Sequence, residues 1–291
     1  MDCHRCENKA IYTRRYSGES LCRDCFSLSI VRKTAKTISR YNMIKRGDDV
    51  AIAVSGGKDS LSLLHVLNNL STKGGYTIRA VTIDEGIPGY REEALEIVDK
   101  YCKGMGIQYS VLSYKQMYDT TLQERLEKRT DSTSSCSLCG VLRRQAIEQA
   151  AAGADVVATA HNMDDYIQTF LINTMSGDVS RIGRNVVGTS RRVQPFCNIY
   201  ESEIVFYAFI NDIPFQSEPC PHMDEGIRTS VREFLNELEE KHSGIKNNMN
   251  KSIQKIAGFV QDAKVRRTCR ICGRQSTTDV CSVCRVLERT A

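Results

Sequence analysis

Val50-Ala51-Ile52-Ala53-Val54-Ser55-Gly56-Gly57-Lys58-Asp59-Ser60 joins an unbroken apolar run to a glycine-rich hexapeptide, and this stretch decides the fold. A short, wholly apolar run bounded by Gly reads as a strand buried on both faces, the signature of a parallel sheet. Leu61-Ser62-Leu63-Leu64-His65-Val66-Leu67 follows with helical spacing, so the hexapeptide is a strand-to-helix turn. Two glycines let the backbone turn tightly and aim N–H groups at an anion. The helix N-terminus adds a partial positive charge, Lys58 a point charge, and Ser55 and Ser60 hydroxyls. Asp59 can cap the helix or hold a magnesium ion. The spacing is not that of the G-x-x-x-x-G-K-[ST] loop. A Ser/Gly turn that merely caps a helix is the plain alternative, and the complete hexapeptide at such a switch disfavours it.

Working outward, Thr77–Ile83, Gln108–Leu112 and Asp155–Ala160 read as further strands. Helical patterns lie between or after them over Glu92–Cys102, Val141–Ala152 (with Gly153 as C′ residue) and Asp164–Met175. Strand, crossover helix and strand in this order predict an α/β fold with a doubly wound parallel sheet. Helices near Glu203–Asp212 and Ile227–Lys241 complete a middle region of residues 29–265. Residues 1–28 and 266–291 are polar, cysteine-bearing ends.

The chain has 291 residues, 41% hydrophobic and 26% charged, ordinary for one sizeable domain with small appendages. No apolar run is long enough to span a bilayer, and Met1-Asp2-Cys3-His4-Arg5-Cys6 lacks the core of a signal peptide. A cytoplasmic protein without a membrane partner is expected. Its net charge of +5 is compatible with nucleic acid but does not require it.

The 13 cysteines say more. An odd number in a reducing compartment argues against a disulfide framework. Cys3, Cys6, Cys22 and Cys25 form C-x2-C-x15-C-x2-C, and Cys269, Cys272, Cys281 and Cys284 form C-x2-C-x8-C-x2-C. Two thiolate hairpins at such spacing close a tetrahedral site, so two structural zinc ions are expected, with rubredoxin-like iron the competitor. Zinc would hold together segments too short to bury a core. Arg266, Arg267, Arg270, Arg274 and Arg285 nearby suit a phosphate backbone, although a purely structural knuckle accounts for them too. Cys136 and Cys139 make a fifth pair without a second hairpin, open to redox, inert or metal-binding roles. Cys220 lies between Pro219 and Pro221, which fix its backbone. Cys102 and Cys197 read as ordinary buried thiols.

Ser55–Ser60 resembles the SGGKDS signature of the PP-loop ATP pyrophosphatases, a superfamily with a Rossmann-like sheet. Thr159-Ala160-His161-Asn162-Met163-Asp164-Asp165 and Cys136-Ser137-Leu138-Cys139-Gly140-Val141-Leu142-Arg143-Arg144 resemble segments of its tRNA 2-thiouridine synthetases, the TtuA/NcsA group. Ala160 departs from the glycine common there, but is small enough to keep close backbone approach. The likeness runs over essentially the whole chain.

The resemblance implies a two-step reaction. ATP adenylates O2 of a tRNA uridine, pyrophosphate leaves, and sulfur then displaces AMP at C2. Ser55, Gly56, Gly57, Lys58, Asp59 and Ser60 would hold pyrophosphate, with Lys58 and Asp59 catalytic. Ala53, Val54 and Ile83, at strand ends, and Ala160 would line the ATP pocket. Arg143 would neutralise phosphate charge, a role that rests on the family, since a helix arginine is otherwise commonly solvated. Asp165 or Asp164 would bind Mg2+ or act as a base, and one of the two can equally be a helix N-terminal charge. His161 is either a ligand or, more commonly, a structural histidine. The resemblance joins Cys220 to Cys136 and Cys139 as ligands of a [4Fe–4S] cluster with one open iron; persulfide transfer among the same cysteines is the competing chemistry. The uridine must be extruded or unpaired to be reached, and Arg181–Arg184 and Arg191-Arg192 could track the RNA or be solvated loops. Position 34 is favoured over 54. The sulfur donor is a thiocarboxylated ubiquitin-like protein, a desulfurase persulfide or sulfide. A homodimer is implied by resemblance alone. Rival readings are a PP-loop ligase acting on a small molecule or another tRNA base, and a zinc-ribbon nucleic-acid-binding protein without catalysis.

Overall fold

The chain opens on an antiparallel hairpin, β1 (Tyr12–Arg14) and β2 (Glu19–Leu21), which runs into an 18-residue helix, α1 (Arg23–Arg40). The computed structural model describes residues 1–129, 134–177, 181, 191–223, 226–259 and 267–288. After α1 come β3 (Asp49–Ala53), α2 (Lys58–Gly74), β4 (Thr77–Asp84), α3 (Arg91–Met105) and β5 (Tyr109–Ser113). Two short helices, α4 (Tyr114–Tyr118) and α5 (Leu122–Glu127), precede α6 (Ser135–Ala150), β6 (Val156–Ala158), α7 (Met163–Met175) and β7 (Arg192–Val193). Helices Glu201–Ile210, Ile227–Lys241 and Ile245–Phe259 follow, then a second hairpin, β8 (Arg267–Thr268) and β9 (Gln275–Ser276), and a closing helix Ser282–Glu288.

The central sheet has the order β5-β4-β3-β6-β7, every pairing parallel. This is the doubly wound sheet read from the sequence. The chain winds outward from β3 through β4 to β5, then returns to the far side of β3 with β6. The switch point therefore lies between β3 and β6, where a crevice opens beyond the strand ends. Val50, Ala51 and Ile52 are fully buried, as a strand covered on both faces requires, and Leu61, Leu63, Leu64 and Leu67 of α2 pack into the same core.

The boundaries differ from the sequence pattern in three places. α1 runs unbroken through residue 28, and Cys3, Leu21, Cys22, Phe26 and Ile30 belong to the main core, so the N-terminal cysteine module is packed into the same core as the sheet. Arg14 fixes the hairpin further: its buried guanidinium meets the buried Glu203 carboxylate at 2.5 Å. α6 begins at Ser135 rather than Val141, because the Ser134 side chain accepts from Ser137 N and caps it. Cys136 and Cys139 thus stand in the first turns of a helix. α6 also ends earlier: its cap is Ala151, so Gly153 is not the C′ residue.

Candidate active site

The loop between β3 and α2 is held from several sides. Gly56 has φ +88°, and a Cβ there would lie 2.8 Å from Ala94 Cβ and 3.0 Å from Ala94 backbone atoms. Only glycine fits both the angle and the gap. Ser60 Oγ accepts from Ser55 N at 3.1 Å and donates to Gly57 O at 2.9 Å, so this hydroxyl ties the turn. Asp59 does not cap α2; Gly57 is its N-cap. The leading N–H groups of α2 therefore face the crevice without helical partners.

A cavity of about 320 Å³ lies against this loop. Its walls include Ala53, Val54, Val81 and Ile83 at the strand ends, Ser55, Gly57, Asp59 and Ser60 of the loop, and Glu85, Arg91, Arg143, Ala160, His161 and Asp165. An apolar floor with polar groups converging at one end suits a nucleoside with its phosphates. Gly56 and Lys58 do not line it. Gly56 supports the loop from behind, and Lys58 Nζ reaches Asp59 at 3.1 Å and Glu201 at 2.8 Å.

Asp59 Oδ1 is buried without a partner, and burial pushes its carboxyl up to about 6. Burial raises Asp165 as well. Two desolvated carboxylates on one cavity wall fit a divalent cation, which would offset their mutual repulsion. Asp164 is different. It accepts from Lys246 Nζ at 2.5 Å, with both side chains buried, and from Glu201 N at 2.8 Å. It ties α7 to two other helices and leaves the cavity to Asp165. His161 donates to or accepts from Thr159 Oγ1 at 3.0 Å; its packing and the nearby guanidiniums of Arg192, Arg228 and Arg144 lower its pKa.

Glu85 had no signal in the sequence. Its buried carboxylate pairs with Arg91 at 2.9 Å and Arg143 at 2.7 Å. Arg91 in turn donates to Ser55 O at 2.5 Å and Ile83 O at 2.6 Å. One carboxylate thus connects the loop, through Arg91, to α6, through Arg143. The Glu85 charge outweighs the opposing effect of desolvation and raises the already high Arg143 pKa, so this guanidinium is permanently cationic beside the cavity.

α6 also carries Cys136 and Cys139. The segment after Ile213 folds back over the loop, with Gln216 N donating to Gly56 O at 3.0 Å, and brings Cys220 to the same place. Cys136 Sγ donates to His222 O at 3.4 Å, and Cys139 and Cys220 pack in one cluster with Ile83, Leu138 and Leu142. Ile83 belongs to both this cluster and the cavity wall, so Cys139 and Cys220 pack in the cluster that adjoins the cavity. Among the described residues, groups of three or more cysteines, histidines or carboxylates with ligand atoms all within 4.8 Å are confined to the terminal sets Cys3/Cys6/Cys22/Cys25 and Cys269/Cys272/Cys281/Cys284. Those two fit one tetrahedral ion each, whose sulfurs sit about 4 Å apart. Cys136, Cys139 and Cys220 are more open, as ligands of separate irons in one cluster must be. In the C-terminal set, Cys281 N donates to Cys269 Sγ at 3.3 Å, and this bond heads the backbone contacts that push the Cys269 thiol down to about 6. The helix Ser282–Glu288 seats this module on α6 through Val283, Val286 and Leu287.

Arg191 and Arg192 are not free to track a backbone. Both pair with Glu148, at 3.1 and 2.5 Å. Arg184 and Arg266 lie outside the described residues, and Arg181 is exposed.

A PP-loop domain family matches residues 27–239, and the N-terminal LIM domain family of the 2-thiouridine synthetase TtuA matches residues 2–27. The chain belongs to the PP-loop tRNA 2-thiolation protein family. The cytoplasmic tRNA 2-thiolation protein 1 of Chlamydomonas reinhardtii is 35% identical over 98% of this chain and 84% of its own length. Its namesake in Drosophila melanogaster is 35% identical over 98% of this chain and 86% of its own. The solved structure of the U34-tRNA thiolase NcsA of Methanococcus maripaludis, with its [4Fe-4S] cluster, superposes with a TM-score of 0.88 at 30% identity, covering 99% of this chain and 96% of that one. Members of this PP-loop family are enzymes, and no described helix here is long and apolar enough to cross a membrane.

Proposed function

We propose that this protein is an ATP-dependent tRNA sulfurtransferase of the cytoplasm that converts uridine 34 to 2-thiouridine. The observation that carries this reading is the contact of a phosphate-binding loop and a three-cysteine site through Ile83 and the Glu85–Arg143 pair. ATP sits with its adenosine over Ala53, Val54, Ile83 and Ala160 and its phosphates on Ser55–Ser60. Uridine O2 bonds to the α-phosphorus as the bond to pyrophosphate breaks. Sulfur then bonds to C2, and the C2–O bond breaks with AMP leaving.

The loop amides and Lys58 orient pyrophosphate, and Arg143, held by Glu85, faces the charge that develops on the α-phosphate. Aimed donors of this kind are worth roughly 10²–10³ in rate. Asp59 and Asp165 hold Mg2+, for which the orphaned Asp59 Oδ1 is suited. Cys136, Cys139 and Cys220 fit a [4Fe–4S] cluster, which supplies a sulfur-presenting iron without a protein ligand. The buried Cys139 anchors that site against Ile83, and the more exposed Cys136 leaves it open to the base. The terminal four-cysteine sets each hold a structural zinc.

The test is anaerobic purification, then nucleoside analysis of tRNA incubated with protein, ATP and sulfide. ATP-dependent 2-thiouridine at position 34 is expected. Its absence, with pyrophosphate release also absent, would sink the reading. Full activity in protein lacking iron would remove the cluster from the reading.

A further inference from the structure

A second groove, of about 640 Å³, runs between the C-terminal half of α1 and the helix Ile245–Phe259, and shares no residue with the ATP cavity. Lys33, Lys36 and Arg40 line it from α1, and Lys251 and Lys255 from the facing helix. On α1 they recur at i, i+3 and i+7, and on the other helix at i and i+4, so each set shares a face. These five cations equal the net charge of the whole chain, +5, and no carboxylate lines the groove. Lys33 is committed to Glu203 at 3.0 Å. Lys36, Arg40, Lys251 and Lys255 are exposed, and none forms an ion pair with a described carboxylate.

The floor is built from amides. Asn198 Nδ2 donates to Thr37 Oγ1 at 3.3 Å, and Asn198 Oδ1 accepts from Asn250 at 3.0 Å and Gln254 at 2.9 Å. Tyr41 donates to Gln254 Oε1 at 2.6 Å and closes the ladder across the two helices. Asn250 is only 3% exposed, and its Oδ1 has no donor, an acceptor that costs stability unless a bound donor meets it. The lining holds no aliphatic or Phe side chain. A protein partner needs a cluster of apolar anchors at the centre of its interface, and here Tyr41, already bonded to Gln254, is the one aromatic in the lining. Cations with interleaved amides are the donor set that meets phosphate and sugar.

We infer that this groove docks the phosphate backbone of the RNA substrate, away from the base that enters the ATP cavity. The inference rests on the tRNA reading above. α1 begins directly after Cys22, carries Cys25 in its first turn and ends at Arg40, so one helix connects the N-terminal cysteine module to the groove. RNA held here is positioned relative to the catalytic loop by the same helix that packs into the main core.

Binding of a tRNA transcript to the full chain, measured from about 50 to 400 mM salt, tests it. The comparison is with a variant carrying Lys36→Ala, Arg40→Ala, Lys251→Ala and Lys255→Ala. Each neutralised phosphate contact lowers the slope of log affinity against log salt by about 1, so a fall of about 3 or more is expected. At 0.15 M salt that is a loss on the order of 10²-fold in affinity. Lys100→Ala, which removes an exposed α3 lysine paired with Glu96, leaves the slope unchanged, and RNA-independent ATP binding stays at the wild-type level in both variants. A variant with the wild-type slope overturns the groove while leaving the thiolation reading intact. Wild-type protein that fails to bind tRNA overturns both.

Discussion

Glu85→Gln is the most informative single change in this protein, because one carboxylate serves two guanidiniums. The Arg91 pair is buried, with side-chain exposures of 5% and 4%. Removing one partner of such a pair leaves an uncompensated charge and costs about 3–5 kcal/mol. The Arg143 side chain is 42% exposed, so its loss is screened and adds no more than about 1 kcal/mol. Glutamine keeps one acceptor for Arg91, which places the net loss near 3 kcal/mol. For a chain of this size that lowers Tm by about 6–12 °C. The effect on chemistry is separate. Arg91 without its counter-charge no longer fixes Ser55 O and Ile83 O, and a loop displaced by about 1 Å costs on the order of 10²-fold in rate. Differential scanning calorimetry reads the first number, and pyrophosphate release at saturating and limiting ATP reads the second. A variant melting within about 2 °C of wild type, or releasing pyrophosphate within threefold of it, would refute the argument that Glu85 couples loop and helix.

Three further outcomes follow from the same structure. Gly56→Ala forces an L residue to φ +88° against the Ala94 backbone, so it should lose about 2–4 kcal/mol and most ATP affinity, read by denaturant unfolding and nucleotide titration. Asp164→Asn strands the buried Lys246 and should cost about 3–5 kcal/mol, whereas Asp165→Asn should keep Tm within about 2 °C yet cut pyrophosphate release by 10²-fold or more; the reverse pattern would exchange their roles. His161 has a folded pKa below its ordinary value of about 6.5, so the unfolded chain takes up more protons as pH falls through and below that value. Stability conferred by the neutral imidazole is present above pH 6.5 and lost as pH falls; His161→Gln should therefore lose less stability than wild type between pH 7 and pH 5, measured by urea midpoints.

Much of this protein is legible in its sequence because the deciding signals are local. The apolar run Val50–Val54, the hexapeptide Ser55–Ser60 and the helix after it are contiguous, so their order alone gives a strand-to-helix phosphate loop. Each C-x2-C hairpin is likewise a short-range object, and its spacing carries the geometry of the sulfur set. Even the missed start of α6 had a local cause, the Ser134 cap, which hydrophobic periodicity does not register. What the sequence could not decide are contacts between segments far apart in the chain. Cys136 and His222 meet across 86 residues, and only the fold-back of Gln216 onto Gly56 explains why Cys220 arrives with them. Asp164 and Asp165 are neighbours with the same chemistry, but successive helix positions point about 100° apart. Asp165 closes the local capping box with Asn162 at the cavity wall, whereas Lys246 and Glu201 N turn Asp164 into a tie between helices, and both of these belong to helices formed much later in the chain. Glu85 looked like any charged residue after a strand. Its meaning comes from burial between two arginines, and burial is a property that the packed sheet creates.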